Sequence, residues 1–271
     1  MLIAQISDPH ISMQAGGFPT ADIAASCLKQ AVNHLMDLHT RPDIVIITGD
    51  CVNNGAHDEY LYFRELLRPL SMPYYVIPGN HDDRIRMLEL FGEQGTQRLD
   101  GFMQYVIDDW PVRLIALDTH LPGLSEGYLG SRRLQWLEER LAEAPQRPTM
   151  LFMHHPPAHI GMLISDQIGL VDGEEFAAIV RRHPQVERIV AGHVHMALVQ
   201  GFAGTVIATC PSTAHTLLPD TGQPERLCVL LEPPACLMHV WNDSTGLVTY
   251  TSIIGHHGPV LELHDGMEWR T

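Results

Sequence analysis

The chain has 271 residues, room for one large α/β core, and its 45% hydrophobic and 18% charged residues are those of an ordinary globular protein. A formal charge of −15 with no run of basic residues excludes a protein that tracks nucleic-acid phosphates. No apolar stretch approaches the roughly 20 residues of a membrane helix, so no membrane partner is expected. The strand pattern begins within two residues of Met1, with no basic leader or cleavage site. Cys27, Cys51, Cys210, Cys228 and Cys236 are odd in number and lack C-x-x-C spacing. Together these predict a reducing cytoplasm, with neither a disulfide framework nor a thiolate zinc site.

In chain order, Leu2 to Ile6 is an apolar run too short for a helix, stopped at Asp8-Pro9-His10. Thr20 to His39 carries Ile23, Cys27, Leu28, Ala31 and Leu35 at helical spacing and ends before Pro42, as a crossover helix should. Ile44 to Ile47 is a second buried strand, ending at Gly49-Asp50, and His57 to Leu70 is a second helix with Tyr60, Phe63, Leu66 and Leu67 on one face. Tyr74 to Ile77 leads to Gly79-Asn80-His81-Asp82. Gln104 to Ile107 and Val112 to Leu117 flank Asp108, Asp109, Trp110 and Pro111, a hairpin pattern that predicts an antiparallel edge. Ser131 to Ala144 is helical. Met150 to Met153 delivers His154, and Asp172 with Glu175 reads as a capping box opening a helix that ends before Pro184. Arg188 to Ala191 delivers Gly192-His193-Val194-His195.

Residues 1–211 therefore form the expected catalytic core. Residues 212–271 change character, with β runs at Cys228 to Leu231, Cys236 to Trp241 and Leu247 to Ser252 that predict an antiparallel appendage within the same domain. Its apolar runs are too many for a solvated extension and predict burial against another subunit, in a homodimer or higher homo-oligomer, with the tail at the pocket rim.

Seven potential ligands, Asp8, His10, Asp50, Asn80, His154, His193 and His195, sit where five apolar runs end. In open parallel sheets that carboxyl edge is where ligands bind. Each donor alone has a plain reading: Asp or Asn beside Gly is a common turn former. The joint occurrence is what defeats it. If extended backbone persists through Pro9, Asp8 and His10 project to the same side and grip one ion, and Asp50 can bridge two. The mixed O/N set without sulfur suits Fe, Mn, Co or Zn. Two such ions roughly 3.5–4 Å apart would hold a hydroxide and clamp a phosphoryl group, which makes phosphoester hydrolysis the expected reaction. In so acidic a chain the cations also supply the positive charge that attracts an anionic substrate.

The blocks Asp8-Pro9-His10, Gly49-Asp50, Gly79-Asn80-His81-Asp82, His154 and Gly192-His193-Val194-His195 resemble the signature of the calcineurin-like metallophosphoesterase superfamily. The resemblance implies a four-layer α/β/β/α sandwich with a dinuclear site at its edge. It also implies that Asp8, His10, Asp50 and His195 bind the first metal, that Asn80, His154 and His193 complete the second with Asp50 bridging, and that Asn80 and His81 meet substrate. His81 would be catalytic, as an acid or by stabilising charge. The chain length, the His154-His155-Pro156-Pro157 block and the segment Pro234 to His239 are similar to bacterial class III cyclic nucleotide phosphodiesterases and related glycerophosphodiesterases. That similarity implies hydrolysis of small phosphodiesters. A phosphomonoesterase or protein phosphatase is the runner-up on the same fold, and a non-catalytic scaffold the distant third. His155, His159 and His215 are candidates to line the pocket, with surface or core roles as the equal alternative. His256 and His257 read as a loop, and Cys51 as a buried thiol rather than a nucleophile.

Overall fold

The computed structural model describes residues 1–14, 19–218, 226–230, 232–255, 258–259, 261–264 and 266–270. His256 and His257 lie outside the described residues, as does Leu231 at the end of one expected β run. The elements in order are β1 (Leu2–Ile6), α1 (Ala21–Asp37), β2 (Ile44–Ile47), α2 (His57–Leu67), β3 (Tyr74–Val76), α3 (Arg84–Phe91), β4 (Tyr105–Ile107) and β5 (Arg113–Ala116). Then come α4 (Gly130–Glu143), β6 (Thr149–Phe152), α5 (Leu163–Gln167), α6 (Gly173–Arg182), β7 (Val186–Ala191), β8 (Leu198–Phe202) and β9 (Thr205–Thr209). The chain closes with β10 (Thr216–Leu218), β11 (Cys228–Leu230), β12 (Ala235–Asn242) and β13 (Gly246–Ile253).

The five ligand-bearing strands divide between two sheets, with orders β13-β12-β1-β2-β3 and β4-β5-β6-β7-β9-β8. β1, β2 and β3 are mutually parallel, and so are β5, β6, β7 and β9. Side-chain alternation along the second sheet explains the layering. Leu114, Ala116, Met150, Phe152 and Val190 join one apolar cluster with the first sheet and helices α1 and α2. Their neighbours Ile115, Leu117, Leu151, Met153 and Ile189 join a second cluster with α4 and α6. Both faces of the sheet are thus covered, which is why these strands read as continuous apolar runs. The layers are helix, sheet, sheet, helix.

Two local expectations need correction. Asp172 makes no cap bond to its own helix α6. Its carboxylate instead accepts from the Leu129 (3.0 Å) and Gly130 (2.7 Å) N–H groups at the opening of α4, a tertiary partner that outcompetes the local one. β8 and β9 form an antiparallel hairpin in a stretch of the expected core for which no element was predicted. The tail is also more integral than an appendage, because β12 pairs antiparallel with β1 along Leu2 to Gln5 and sits inside the first sheet. Cys236, Leu237 and Met238 are accordingly buried in this chain's own core and not against another subunit. β4 against β5 is the expected antiparallel edge hairpin.

Candidate metal centre

Beyond the last ladder bonds of β1 and β2 the two segments stay hydrogen-bonded: Asp8 N–H donates to Gly49 O (3.1 Å) and His10 N–H to Asp50 O (3.0 Å). Extended backbone does not persist through Pro9, however. Asp8 (φ 52°) and His10 (φ 47°) are in the left-handed region, as are Asp50 (47°), His193 (70°) and His195 (53°). The shared direction of Asp8 and His10 therefore comes from this backbone and not from strand alternation. Left-handed backbone costs a non-glycine residue on the order of 1–3 kcal/mol, and such strain persists only where the surroundings over-determine it. Five of the seven described non-glycine residues with positive φ are proposed ligands, which concentrates that strain at one place.

The donors converge in two groups. Ligand atoms of Asp8, His10, Asp50 and His195 all lie within 4.8 Å of one another, and all four residues are buried. His10 Nε2 is 3.2 Å from His195 Nε2, and His195 Nε2 is 3.3 Å from Asp8 Oδ1. In the second group Asn80 Oδ1 is 3.1 Å from both His154 Nε2 and His193 Nδ1. Asp50 stands between them: Oδ2 is 3.6 Å from His10 Nε2 and Oδ1 is 3.5 Å from His154 Nε2.

Burial drives the His10 and His193 pKa values down to about 3, so both rings are neutral and carry a lone pair. Burial alone would raise Asp8, but His195 and His154 bring it down to about 2, and Asp50 is likewise held below the usual carboxylate range by His154 and His10. Ionised carboxylates and neutral imidazoles are the protonation states a cation requires. His154 gives the sharper test of fit. Its Nδ1 is 2.7 Å from Thr48 O, so that nitrogen must carry the proton. Nε2 then faces Asp50 Oδ1 and Asn80 Oδ1, both acceptors. A ring nitrogen and two acceptor oxygens aimed at one point need a positive centre among them, and the mixed O/N donor set fits a metal ion.

His155 also lies close to His154 and His193. Its ring nitrogens are already engaged, with Thr119 Oγ1 at 2.8 Å and Ser125 O at 3.1 Å, which makes it a buried wall of the site. His215 stands at the rim with its ring 4.4 Å from that of His195, whereas His159 is exposed. His81 is exposed beside the centre. Its N–H donates to Asp50 Oδ1 (2.9 Å), its Nδ1 meets Asn53 O at 2.9 Å, and its ring lies 4.8 Å from that of His10. Nδ1 is thereby the N–H, and Nε2 is the atom free to exchange a proton. Burial would lower the His81 pKa, but Asp50 and the Asn53 carbonyl outweigh it and raise it.

Two features escaped the sequence reading. Asp82, the last residue of its block, accepts from Gly79 N–H (2.8 Å), Cys51 N–H (3.1 Å), Val52 N–H (3.3 Å) and Tyr60 hydroxyl (3.0 Å), tying the Asp50 and Asn80 loops together. Burial and Asp50 push its pKa up to about 7, against the pull of those donors. The second feature is close approach at glycine. A Cβ on Gly79 would strike Asp50 Oδ1 and sit 2.7 Å from His154 Cε1, and one on Gly192 would sit 2.7 Å from Asp8 Oδ2. Only hydrogen fits there. Cys51 is fully buried, and its thiol pKa is pushed well up, first by burial, which suits packing and not nucleophilic attack.

Residues 1–197 match the family model for calcineurin-like phosphoesterases. A probable glycerophosphodiester phosphodiesterase, GpdQ, of Arcobacter nitrofigilis is 35% identical over 257 residues, spanning 94% of each chain. The glycerophosphodiester phosphodiesterase GpdQ of Enterobacter lignolyticus is 38% identical over 96% of this chain and 94% of its own. A 3',5'-cyclic adenosine monophosphate phosphodiesterase, CpdA, of Pseudomonas aeruginosa is 28% identical over 82% and 79%. Among solved structures, a dimetal phosphatase from Danio rerio shares the fold, with a TM-score of 0.65 and 16% identity over 94% of this chain and 99% of that one. With the ligand blocks, the two-sheet sandwich and the family match in agreement, the chain belongs to the calcineurin-like phosphoesterase family.

Proposed function

We propose that this protein hydrolyses small phosphodiesters, glycerophosphodiesters or cyclic nucleotides, at a pair of divalent metal ions. Asp8, His10, Asp50 and His195 would hold the first ion, and Asn80, His154 and His193 the second, with Asp50 shared. The observation that carries the reading is the placement of Asp50, whose two oxygens face the two groups at nearly equal distances. The ions supply Lewis acidity and an activated water for in-line displacement at phosphorus. The choice of diesters is supported by relatives named as phosphodiesterases that align along nearly the whole chain.

The residues divide the remaining work. The imidazoles would offer lone pairs to the ions, and the two buried carboxylates, Asp8 and Asp50, would supply the negative charge that retains cations. His81 stands in the exposed approach to the centre, where Nε2 reaches a substrate oxygen. Its role is to donate a proton to the leaving alkoxide or to hold charge on the phosphoryl oxygens. Mn, Fe, Co and Zn all suit this donor set. The test is hydrolysis of a panel of glycerophosphodiesters, cyclic nucleotides, aryl diesters and aryl monoesters by apoprotein reconstituted with each of the four metals. Diesters are expected to lead. Preference for monoesters throughout would replace this reading with a phosphomonoesterase, and inactivity with every metal would leave a scaffold.

Further support bears on assembly and compartment. β13 is an edge strand with Val248, Tyr250 and Ile253 each about half exposed. An exposed apolar edge favours pairing with a second copy. Light scattering should give a dimer or larger for the parent and a smaller species for Val248→Arg with Tyr250→Glu. A monomeric parent at micromolar concentration would end this reading. The five free thiols suit a reducing cytoplasm, and no helix among the described residues is long and apolar enough to cross a membrane.

A further inference from the structure

A chain of buried polar side chains runs from the C-terminal hairpin to the metal centre, and elementary hydrogen-bond accounting fixes the direction of every proton in it. Gln5, at the end of β1, has its Nε2 at 3.1 Å from Ala191 O and 3.0 Å from Thr48 Oγ1. A carbonyl oxygen only accepts, so Nε2 is the amide nitrogen and Oε1 must face the other way. It faces His239 Nε2 at 3.1 Å, which therefore carries the imidazole proton. Burial takes the His239 pKa down to about 3, so the ring is neutral and Nδ1 accepts from the Thr249 hydroxyl (2.8 Å). Downstream, Thr48 Oγ1 has accepted from Gln5 and donates to Ser7 Oγ (2.7 Å), whose own proton is left for Thr48 O (3.3 Å). That same Thr48 carbonyl holds His154 Nδ1.

We infer that Gln5, oriented by His239, is a positioning residue for the second metal. Its amide clamps Thr48, which sets the tautomer and aim of His154, to Ala191, which leads through Gly192 into His193. Gln5, Ser7, Thr48 and His239 are each 0% exposed, so bulk water does not reach a group that has lost its partner. The clamp also joins the two sheets, since Thr48 follows β2 in the first and Ala191 ends β7 in the second. The ligands of the first metal receive no bond from this amide. The inference rests on the assignment of Asn80, His154 and His193 to one ion.

The test is titration of the full-length apoprotein with Mn²⁺ alone, followed by equilibrium dialysis and metal analysis, for the parent, Gln5→Met, His239→Gln, His239→Leu and Thr249→Val. Asn80→Ala identifies which binding class is the second site, and Leu141→Ala, a cavity beneath α4 remote from the centre, controls for lost stability. Loss of a residue behind a metal ligand typically weakens affinity 10–100-fold. Gln5→Met and His239→Leu should weaken the class lost in Asn80→Ala by at least about tenfold and leave the other class little changed. His239→Gln, which can still donate to Gln5, should restore most of that affinity. If Gln5→Met does not fold, His239→Gln and Thr249→Val decide by their order, with Thr249→Val the milder loss relative to His239→Leu. Unchanged affinity, an equal loss in both classes, or the same loss in Leu141→Ala would overturn the inference. A parent that binds fewer than two ions would instead refute the metal assignment on which it stands.

Discussion

The two ligand groups are built on different physics. The group of Asp8, His10 and His195 brings its own carboxylate, lies fully buried and has left-handed backbone at every member. The group of Asn80, His154 and His193 has no charge of its own, and it includes Asn80, which is only half-buried. It depends on Asp50 for negative charge and on the Thr48 carbonyl for the aim of His154. An ion in the first group would be held by charge and a committed backbone, whereas one in the second would be held by placement. The first should bind more tightly. The second, which holds the half-buried Asn80, should be the one that responds to what the protein does to its surroundings.

Asp50→Ala would erase the distinction, because the shared carboxylate is the one charge the second group has. Turnover should be abolished and metal analysis should show reduced content of both ions. Two tightly held ions per chain in the purified variant would rule out bridging. Gly79→Ala leaves every donor in place but drives a methyl into Asp50 and His154. Activity should fall by roughly 10²-fold, the size expected of a misplacement of about 1 Å. Near-normal kcat/KM would mean that the loop relaxes freely and that placement matters little.

His81→Ala should leave both ions bound, since the role proposed for the ring is toward substrate and not toward metal. The loss in kcat should be on the order of 10²-fold for alkyl leaving groups and smaller for activated aryl esters that need no proton. Equal losses across leaving groups would assign His81 to charge stabilisation. The smallest effect concerns the brace behind the second group. His239 has a folded pKa of about 3 against an unfolded value near 6.5, so below pH 6.5 the unfolded chain binds a proton that the folded one refuses. Stability must then fall as pH drops from 6.5 toward 3, by about 1.4 kcal/mol per unit from this group alone. Denaturant titrations of metal-free protein should show parent stability falling more steeply with acidity than that of His239→Gln. Parallel curves would mean that the ring is already protonated in the fold.

How far these features were legible depends on their range. The five ligand strands and their polar ends were readable because both the apolar run and its terminator are local. Partition into two sheets was readable only through the family resemblance, since β3 and β6 have the same local pattern whichever neighbour they find. The left-handed turn of Asp8 and His10 was hidden because Pro9 suggests extension of the residue before it, and the carbonyls of Gly49 and Asp50 that hold the turn come from another strand. Asp172 matched a capping box yet serves α4, because a carboxylate takes the best buried donors within reach. Gln5 and His239 were invisible as a pair: they are 234 residues apart and meet only where β12 joins β1.

That junction has a consequence for how the molecule is made. β1 leads into Asp8 and His10, and its neighbour β12 is synthesised long after it. Until β12 arrives the first sheet keeps an open edge, and Gln5 lacks the imidazole that orients it. Contacts of such long sequence separation form late and slowly. Assembly of the candidate metal centre is therefore tied to the arrival of β12, and a chain lacking that strand would hold all seven proposed ligands without the frame that aims them.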